Sequence, residues 1–256
     1  MNKFGLIGKT LGHSFSQRYF TEKFAREGIS ARYDNYEMPS ADGVVRLIEN
    51  TPELVGLNVT IPYKQDVIPL LRSLDADAEA IGAVNVIRIR DMRGFNTDVI
   101  GFRESIRPLL QPHHTRALVL GTGGASLAVK YGLRQLGIEP LSVSRSAHKQ
   151  VKEPLSPLTS HLSPLNVITY DDLDEALLTD YTVIVNCTPL GTFPRVDECA
   201  PIPYHLLTTR HLLFDLVYNP DETLFLRQGR ERGAATKNGY EMLLRQADAA
   251  WEIWNN

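Results

Sequence analysis

The sequence predicts an α/β protein built from two α/β units, and two observations support this prediction. Short apolar segments with the length of strands alternate with segments whose apolar residues recur at helical spacing. Beyond the helix that follows Asp98, the strands change character. Ala117-Leu118-Val119-Leu120 is an unbroken apolar run of the kind that a buried parallel strand shows. A second α/β unit is therefore expected over residues 99–237.

The composition excludes several classes of protein. The 256 residues are 43% hydrophobic and 22% charged, the net charge is −3, and Lys and Arg are scattered, so we expect no nucleic-acid partner. No apolar run approaches the ~18 residues of a membrane span, and the N-terminal apolar stretch is too short for a signal peptide. The two cysteines, Cys187 and Cys199, form neither a disulfide framework nor a metal-binding pattern. We expect a cytoplasmic protein without a metal site.

The first unit is expected to contain four strands and four helical segments. Strands are predicted at residues 4–7, 32–38, 55–60 and 83–89. The first helix carries Tyr19, Phe20 and Phe24 at helical spacing and ends at Gly28, a typical C-terminal cap. Further helical segments are predicted at residues 42–49, 67–71 and 76–81, and a turn at residues 91–94.

The second unit is expected to begin with an amphipathic helix that buries Phe102 and Ile106 and is ended by prolines. Strands follow at residues 117–120, 141–143, 183–185 and 212–217, and a helix at residues 127–136. A further helix is predicted at residues 241–254, beyond this unit. The Pro- and Ser-rich segment 152–164 is the best candidate for a variable surface loop.

The motif Asn58-Val59-Thr60-Ile61-Pro62-Tyr63-Lys64 is the first candidate for a functional site. It follows an apolar strand, and Pro62 must end any strand that reaches it. Asn58, Thr60 and Lys64 then offer an amide, a hydroxyl and an ammonium from a strand end, where binding groups often lie. The alternative is an ordinary exposed loop.

A second polar cluster, Asn96-Thr97-Asp98, precedes a predicted helix. Asp98 has a purely structural explanation as a residue that caps this helix. Alternatively, Asp98 pairs with Lys64, and the two form a positioned proton donor and acceptor for the oxidation of an alcohol. Burial would lower the pKa of the lysine and the carboxylate would oppose that shift, and the sequence does not determine which of the two effects is larger.

Gly121-Thr122-Gly123-Gly124-Ala125-Ser126 lies between a buried strand and a helix, where the pyrophosphate of a dinucleotide binds. The glycines allow a tight turn and close backbone approach, and the helix N-terminus supplies N–H donors. Ser126 takes the place of a third glycine. The alternative is a plain strand-to-helix turn.

The end of the next strand favours NADP(H) over NAD(H). An NAD site usually has Asp or Glu there, whereas this chain has Ser144-Arg145-Ser146, followed by Lys149. A guanidinium suits a 2′-phosphate, although an exposed loop arginine is the alternative interpretation. Asn186 and Thr188 end a later strand and are expected along the same crevice, with Cys187 as a small packed residue between them.

Several motifs in the same order along residues 8–254 make the chain resemble the shikimate dehydrogenase family, which includes enzymes that act on quinate and shikimate. Besides the three motifs above, these are Ala83-Val84-Asn85, Asp215-Leu216-Val217-Tyr218-Asn219-Pro220 and Asn238-Gly239-Tyr240-Glu241-Met242-Leu243-Leu244-Arg245-Gln246-Ala247. The resemblance implies NADPH-dependent reduction of 3-dehydroshikimate to shikimate, in the biosynthesis of aromatic amino acids.

The resemblance also implies roles for individual residues. Lys64 would donate the proton and Asp98 would orient it. Substrate-binding residues would be Ser14, Ser16, Asn58, Thr60, Asn85, Tyr218 and Gln246. Cofactor-binding residues would be Gly121, Gly123, Gly124, Ala125, Ser144, Arg145, Ser146, Lys149, Asn186, Thr188 and Gly239.

In this family the C-terminal helix returns to the substrate domain. Residues 1–98 and 238–256 are therefore expected to form a substrate domain, and residues 99–237 a Rossmann-like NADP domain, in a monomer or homodimer. The chain departs from the family pattern at Thr10 and Gln17, where prolines are usual, and this loosens the restraint expected on the substrate-carboxylate loop. The alternatives are a broader quinate/shikimate dehydrogenase and a non-catalytic relative, which should have lost Lys64 or Asp98.

Overall fold

The computed structural model describes residues 1–12, 14–146 and 167–256. The chain forms two compact units, Met1–Thr97 with Ala247–Asn256, and Asp98–Gln246. The predicted α/β class with two units is confirmed. The second boundary lies within the last helix, nine residues beyond the expected 237/238 division, so this helix begins in one unit and ends in the other. The predicted loop at residues 152–164 lies outside the described residues.

The described residues contain the following α-helices, in chain order: α1 Phe15–Glu27, α2 Gly43–Glu49, α3 Ala76–Ile81, α4 Asp98–Ile106, α5 Gly124–Gln135, α6 Glu175–Asp180, α7 Leu224–Glu231 and α8 Tyr240–Asn255. The predicted helical segment at residues 67–71 is a single 3₁₀ turn, Ile68–Leu70. The short helices α6 and α7 are not among the predicted elements.

The first unit contains a six-stranded mixed sheet. Its strands are β1 Asn2–Gly8, β2 Ala31–Glu37, β3 Leu54–Val59, β4 Ser73–Leu74, β5 Val86–Arg88 and β6 Arg93–Phe95. Their order in the sheet is β2-β1-β3-β5-β6-β4, with β5 antiparallel to both of its neighbours. The turn expected at residues 91–94 is shorter than predicted: the chain reverses at Met92, which has a φ of 50°, and β6 begins directly after it.

An aromatic cluster holds the end of α8 against the first sheet. Trp254 is 2% exposed, its ring centroid lies 5.0 Å from that of Phe4 and 5.4 Å from that of Phe20, and its Nε1–H donates to the Ile87 carbonyl at 3.1 Å. A Cβ on Gly56 would lie 2.2 Å from the Trp254 ring, so β3 must carry a glycine there. The end of the last helix is thus part of the core of the first unit.

The second unit contains a six-stranded sheet in which every strand is parallel to its neighbours. Its strands are β7 Arg116–Leu120, β8 Glu139–Ser144, β9 Val167–Thr169, β10 Val183–Asn186, β11 Leu212–Asp215 and β12 Ala235–Lys237. Their order is β12-β11-β10-β7-β8-β9, so the chain leaves β7 toward one edge and later returns to its other side. This is the dinucleotide-binding order 3-2-1-4-5-6, with its switch point between β7 and β10.

The second sheet is covered by apolar clusters that bury its strands. The four residues of the run 117–120 in β7 are fully buried, as the unbroken apolar pattern predicts. Phe102 of α4 packs edge-on against Phe214 of β11, with ring centroids 5.3 Å apart. Helix α5 begins at Gly124, three residues earlier than predicted, because the glycine-rich turn itself leads into the first helical turn. Across residues 1–12, 14–146 and 167–256, none of the helices is both long and apolar enough to span a bilayer.

Two buried histidines lie where β7 and β11 begin. The Nδ1 atom of His114 accepts from the Gln111 N–H at 3.0 Å, so its Nε2 carries the hydrogen that is donated to the Arg210 carbonyl, 3.1 Å away. His211 has the same arrangement, with Nδ1 accepting from the Thr208 N–H at 3.0 Å. Burial lowers the pKa of both imidazoles, and protonation would place a hydrogen on Nδ1 against an N–H donor.

We expect these histidines to make the fold less stable in acid. Above the unfolded-state pKa of about 6.5, both states hold neutral imidazoles; below it, the unfolded chain takes up protons that the folded chain resists. Each histidine then lowers the free energy of unfolding by up to about 1.4 kcal/mol for each pH unit. The double variant His114→Gln, His211→Gln should show a shallower fall of the urea midpoint between about pH 7.5 and 5.5 than the wild-type chain.

The exposed His205 provides the matched control, because His205→Gln removes an imidazole from the surface instead of from the interior. Asp215 acts in the opposite sense: burial raises its pKa to about 6, so it stabilises the folded state in acid and that contribution is lost as pH rises through this value. The comparison is therefore made between wild type and variant at each pH. Equal slopes of the urea midpoint against pH in the wild-type chain and the double variant would contradict the role of the two histidines.

Candidate active site

The carboxyl ends of β1 and β3 bring two predicted polar segments together. Thr60, directly after β3, donates its N–H to the Ile7 carbonyl at 3.0 Å. A Cβ on Gly8 would lie 2.8 Å from the methyl of Thr60, so the two strand ends touch. The loop that leaves Gly8 carries Ser14 and leads to Ser16, so the candidate carboxylate-binding serines follow a loop that starts beside Thr60.

The loop after β1 is restrained by a carboxylate instead of the family's proline. The Leu11 N–H donates to Glu37 Oε1 at 2.7 Å and the Gly12 N–H donates to the same oxygen at 3.4 Å. Ser14 then caps α1, because its Oγ accepts from the Gln17 N–H at 3.1 Å. No local sequence signal points to Glu37 as this anchor. Despite the departure at Thr10, the loop is anchored from the end of β2.

Asn58 is held by Tyr33, a residue of β2 that no sequence motif connects with the site. Asn58 is 5% exposed, and its Oδ1 accepts from the Tyr33 hydroxyl at 2.7 Å. Burial raises the pKa of Tyr33 well above its usual range, while a hydrogen bond with Ser16 opposes that shift. Tyr33 therefore stays a neutral donor and fixes which end of the Asn58 amide faces the β2 side.

Asn85 joins the second polar cluster to the first. Its Oδ1 accepts from the Thr97 N–H at 2.7 Å and its Nδ2 donates to the Thr97 hydroxyl at 3.0 Å. Its backbone carbonyl accepts from the Val59 N–H at 2.8 Å. Asn96 adds a bond from its Nδ2 to the Ala83 carbonyl at 2.9 Å. The segments around residues 58–60, 83–85 and 96–97 thus form one hydrogen-bonded assembly.

The two predicted catalytic residues are each fixed to this assembly through the backbone. The Lys64 carbonyl accepts from the Val84 N–H at 2.7 Å, and Lys64 is half-buried. Asp98 follows Thr97 directly, is 8% exposed and is the first residue of α4, where the helix dipole stabilises a carboxylate. The Lys64 backbone is thus bonded to the residue before Asn85, and Asp98 follows the residue that Asn85 holds.

Gln246 lies beside the helix that Asp98 begins. A Cβ on Gly101, one turn after Asp98, would lie 2.4 Å from the Met242 carbonyl and 3.1 Å from the Gln246 Cβ, so α4 and α8 touch at this glycine. Gln246 is 8% exposed and donates from Nε2 to the Leu243 carbonyl at 3.0 Å. Tyr218, by contrast, is 39% exposed on the loop after β11.

The glycine-rich turn has the local structure that a pyrophosphate site needs. Gly121 has a φ of 101°, a conformation open to glycine, and its N–H donates to the Val143 carbonyl at 2.8 Å. Gly123 is the N-cap of α5, and a Cβ there would meet no atom within 4 Å, so space is open in front of the helix. The N–H groups of Gly124 and Ala125 belong to the first helical turn. These features fit a bound dinucleotide.

Arg145 stands exposed at the end of β8, as the cofactor prediction requires. Ser144 ends the strand, and Ser146 is exposed beside Arg145. Burial raises the pKa of Tyr170, at the end of β9, and the positive charge of Arg145 opposes that shift, which places the guanidinium near the neighbouring strand end. Lys149 lies outside the described residues.

Asn186 faces into the protein instead of toward the predicted crevice. It is fully buried, its Nδ2 donates to Asp215, and its Oδ1 accepts from the N–H and the hydroxyl of Thr188. Burial raises the pKa of the Cys187 thiol, which accords with a packed residue and not with a nucleophile. A Cβ on Gly239 would lie 2.2 Å from the Leu216 carbonyl, so close backbone packing requires a glycine there.

Comparison with known proteins gives consistent relatives. Residues 6–87 match the shikimate dehydrogenase substrate binding domain. A shikimate dehydrogenase (NADP(+)) of Caldicellulosiruptor saccharolyticus is 31% identical, over 99% of this chain and 92% of the relative. Shikimate 5-dehydrogenase of Thermus thermophilus, solved with NADP(H) and shikimate, is 28% identical with a TM-score of 0.82, covering 99% of this chain and 93% of that one. Quinate dehydrogenase of Corynebacterium glutamicum, solved with NAD, is 26% identical with a TM-score of 0.85, covering 99% and 93%.

Proposed function

Since this chain belongs to the shikimate dehydrogenase family, we propose that the assembly around residues 58–64, 83–85 and 96–98 is its active site. The chain is an NADP-dependent oxidoreductase that interconverts 3-dehydroshikimate and shikimate, in the biosynthesis of aromatic amino acids. The observation that best supports the site is the pair of bonds between Asn85 and Thr97. It fixes the backbone beside Asp98 to residue 85, whose neighbour Val84 is bonded to the Lys64 carbonyl.

Lys64 is proposed to act as the proton donor during reduction. As the substrate carbonyl is reduced, negative charge develops on its oxygen, and an ammonium within hydrogen-bond reach supplies the proton that neutralises it. In the oxidation direction the neutral amine accepts the proton of the alcohol. Asp98 is proposed to hold the Lys64 ammonium toward the substrate, since a helix N-terminus favours a carboxylate and a carboxylate restrains a flexible lysine.

The substrate is proposed to bind between neutral side chains and the loop after β1. Ser14 and Ser16 would bind its carboxylate, and Asn58, Thr60, Asn85, Tyr218 and Gln246 would bind its hydroxyl groups. Tyr33 and Thr97 support this arrangement because they bond to the Asn58 and Asn85 amides and so fix their orientation. A site built from oriented neutral groups rejects analogues that lack a hydroxyl.

NADP(H) is proposed to lie across the carboxyl ends of the second sheet. Its pyrophosphate would bind at the turn of Gly121, Gly123, Gly124 and Ala125, and its 2′-phosphate at Ser144, Arg145, Ser146 and Lys149. When bound, the cofactor supplies or accepts the hydride. The open space at Gly123 and the exposed position of Arg145 support this placement. Thr188 and Gly239 complete the proposed cofactor site, and the buried Asn186 contributes through its bonds to Thr188. We propose a cytoplasmic monomer or homodimer.

The test measures, by absorbance, the reduction of NADP⁺ or NAD⁺ by the purified protein with shikimate or quinate as the alcohol. Turnover of shikimate with NADP⁺ and little with NAD⁺ is the expected result. Absence of turnover in all four combinations would contradict the proposed function.

Quinate and NAD⁺ are included because the likeness to the quinate dehydrogenase of Corynebacterium glutamicum covers nearly the whole chain. Comparable rates on quinate would assign the chain to the broader quinate/shikimate group. Comparable rates with NAD⁺ would remove the role proposed for Arg145 while leaving the reaction unchanged.

A further inference from the structure

The carboxylate of Asp215, at the end of β11, is completely buried and bonded to three donors. Its Oδ1 accepts from the Asn186 amide at 2.9 Å and from the Val217 N–H at 3.0 Å, and its Oδ2 accepts from the Thr223 hydroxyl at 2.6 Å. A buried carboxylate is costly unless such donors satisfy it. Burial raises the pKa of this group to about 6, so at neutral pH the fold carries a charge that water would hold more favourably.

The bonds from Asp215 lead to the glycine-rich turn. Asn186 donates to Asp215, and its oxygen accepts from the Thr188 N–H at 3.1 Å and from the Thr188 hydroxyl at 2.6 Å. The Thr188 hydroxyl in turn accepts from the Leu190 N–H at 3.3 Å. The methyl of Thr188 lies so close to Gly121 that a Cβ there would be 3.1 Å away. Asp215 therefore helps to determine where Thr188 stands against the turn.

This contact lies at the switch point of the second sheet. Thr188 follows β10 and Gly121 follows β7, and the two strands are neighbours between which the direction of chain progression reverses. In open α/β sheets the ligand binds in the crevice that opens at this point. The side of the crevice formed by residues 187–190 is the side that Asn186 and Asp215 hold in place.

We propose that Asp215 is a positioning residue of the cofactor site, which holds Asn186 and, through it, Thr188 against the Gly121 turn. This inference rests on the proposed NADP site. Asp215 itself touches no ligand; it acts through the shape and donor arrangement of the strand end after β10. Its third bond, to Thr223, belongs to the start of α7, because Thr223 caps that helix. Of the two side chains bonded to Asp215, Thr223 is a structural partner and Asn186 leads to the site, and these can be separated by mutation.

The test measures the dissociation constant for NADP⁺, by fluorescence titration, together with the thermal midpoint of each variant. Asp215→Leu and Asn186→Leu are each expected to weaken NADP⁺ binding by about tenfold or more, because both release Thr188. The double variant is expected to lose no more NADP⁺ affinity than either single variant, since the two residues act in one series of hydrogen bonds. Asp215→Asn is expected to bind within about threefold of wild type: its oxygen can accept from Asn186 and its amide can donate to Thr223.

Thr223→Val is the matched control. It removes the bond from Thr223 to Asp215 and the cap on α7 but keeps the bond between Asn186 and Asp215. It should therefore lower the thermal midpoint while NADP⁺ affinity stays within about twofold. A folded Asp215→Leu protein with wild-type affinity would overturn the inference, as would a Thr223→Val variant that binds as weakly as Asp215→Leu. Where Asp215→Leu fails to fold, Asn186→Leu decides by the same criteria.

Arg145→Ala separates this inference from the proposed function. Weakened binding in Arg145→Ala together with unchanged binding in Asn186→Leu and Asp215→Leu would leave the NADP site in place and reject the role of Asp215. A wild-type protein that binds no NADP⁺ or NADPH would reject both.

Discussion

Replacing Lys64 with alanine is expected to lower kcat for shikimate oxidation by about 10²–10⁴-fold, the usual contribution of a positioned acid–base group. The dissociation constant for NADP⁺ should not change, because Lys64 lies in the first unit, whereas the glycine-rich turn and Arg145 lie in the second. The backbone around residue 64 should also stay in place, since its contact with Val84 is made by the main-chain carbonyl. Steady-state rates and cofactor titration on the same preparation check both statements.

Two variants make this experiment specific. Lys64→Arg keeps a positive charge but cannot hand over a proton at neutral pH, so its kcat should fall almost as far as that of Lys64→Ala. Lys3→Ala removes a lysine at the start of β1 that contributes only a surface ion pair with Glu53, 3.6 Å away, and should leave kcat unchanged. A fully active Lys64→Arg enzyme would show that charge alone suffices, and a fully active Lys64→Ala enzyme would remove the residue from the mechanism.

Replacing Arg145 with alanine is expected to raise KM for NADP⁺ by about 10–100-fold and to leave KM for NAD⁺ nearly unchanged. Charge-assisted bonds from a guanidinium to a phosphate are each worth about 1.5–3 kcal/mol, and NAD⁺ lacks the 2′-phosphate that would receive them. The kcat with saturating NADP⁺ should stay close to that of the wild-type enzyme, because the variant changes binding far from the reacting carbon. The ratio of kcat/KM for the two cofactors is therefore the quantity to measure.

Arg116→Ala is the matched control for Arg145, since Arg116 is an exposed arginine at the opposite end of the second sheet and pairs with Asp180 at 2.7 Å. It should leave the ratio unchanged. An equal loss of affinity for NADP⁺ and NAD⁺ in Arg145→Ala would contradict discrimination at the 2′-phosphate and would indicate that Arg145 contacts a part of the cofactor that both molecules share.

The sequence predicted most strongly where the signal is local. The run 117–120 predicts a buried parallel strand because only that environment suits four consecutive apolar side chains. Gly121 and Gly123 predict the turn after it, because the chain must adopt a positive φ and leave open space in front of a helix. The same signal misplaced the start of α5 by three residues, since glycine has a low helix propensity and yet Gly124 is the first residue of the helix.

Local signals failed where an element depends on distant contacts. The segment β6, predicted as part of a turn, is a strand because it pairs with β5 and β4. Helix α7 is stabilised by Thr223, which is held in turn by Asp215. Both elements are short, and for such elements tertiary contacts override intrinsic propensity.

By itself, the sequence determined the α/β class and the strand-turn-helix of the cofactor unit. It also determined that no Asp or Glu stands at the end of β8 and which residues are able to take part in the reaction. Each of these depends on neighbours in the chain, through periodicity, glycine and proline conformation, or residue type at a strand end. Only the tertiary structure decided which polar groups are bonded inside the protein and which are left to face a ligand.

Asn186 illustrates the difference, because its position at a strand end predicts a ligand contact while its amide is bonded to Asp215, 29 residues later. Glu37 anchors the loop at Leu11 across 26 residues, and Asn85 fixes Thr97 across 12. A buried polar group must find a partner wherever the fold brings one, and the partner's distance along the chain leaves no periodic pattern from which it could be predicted.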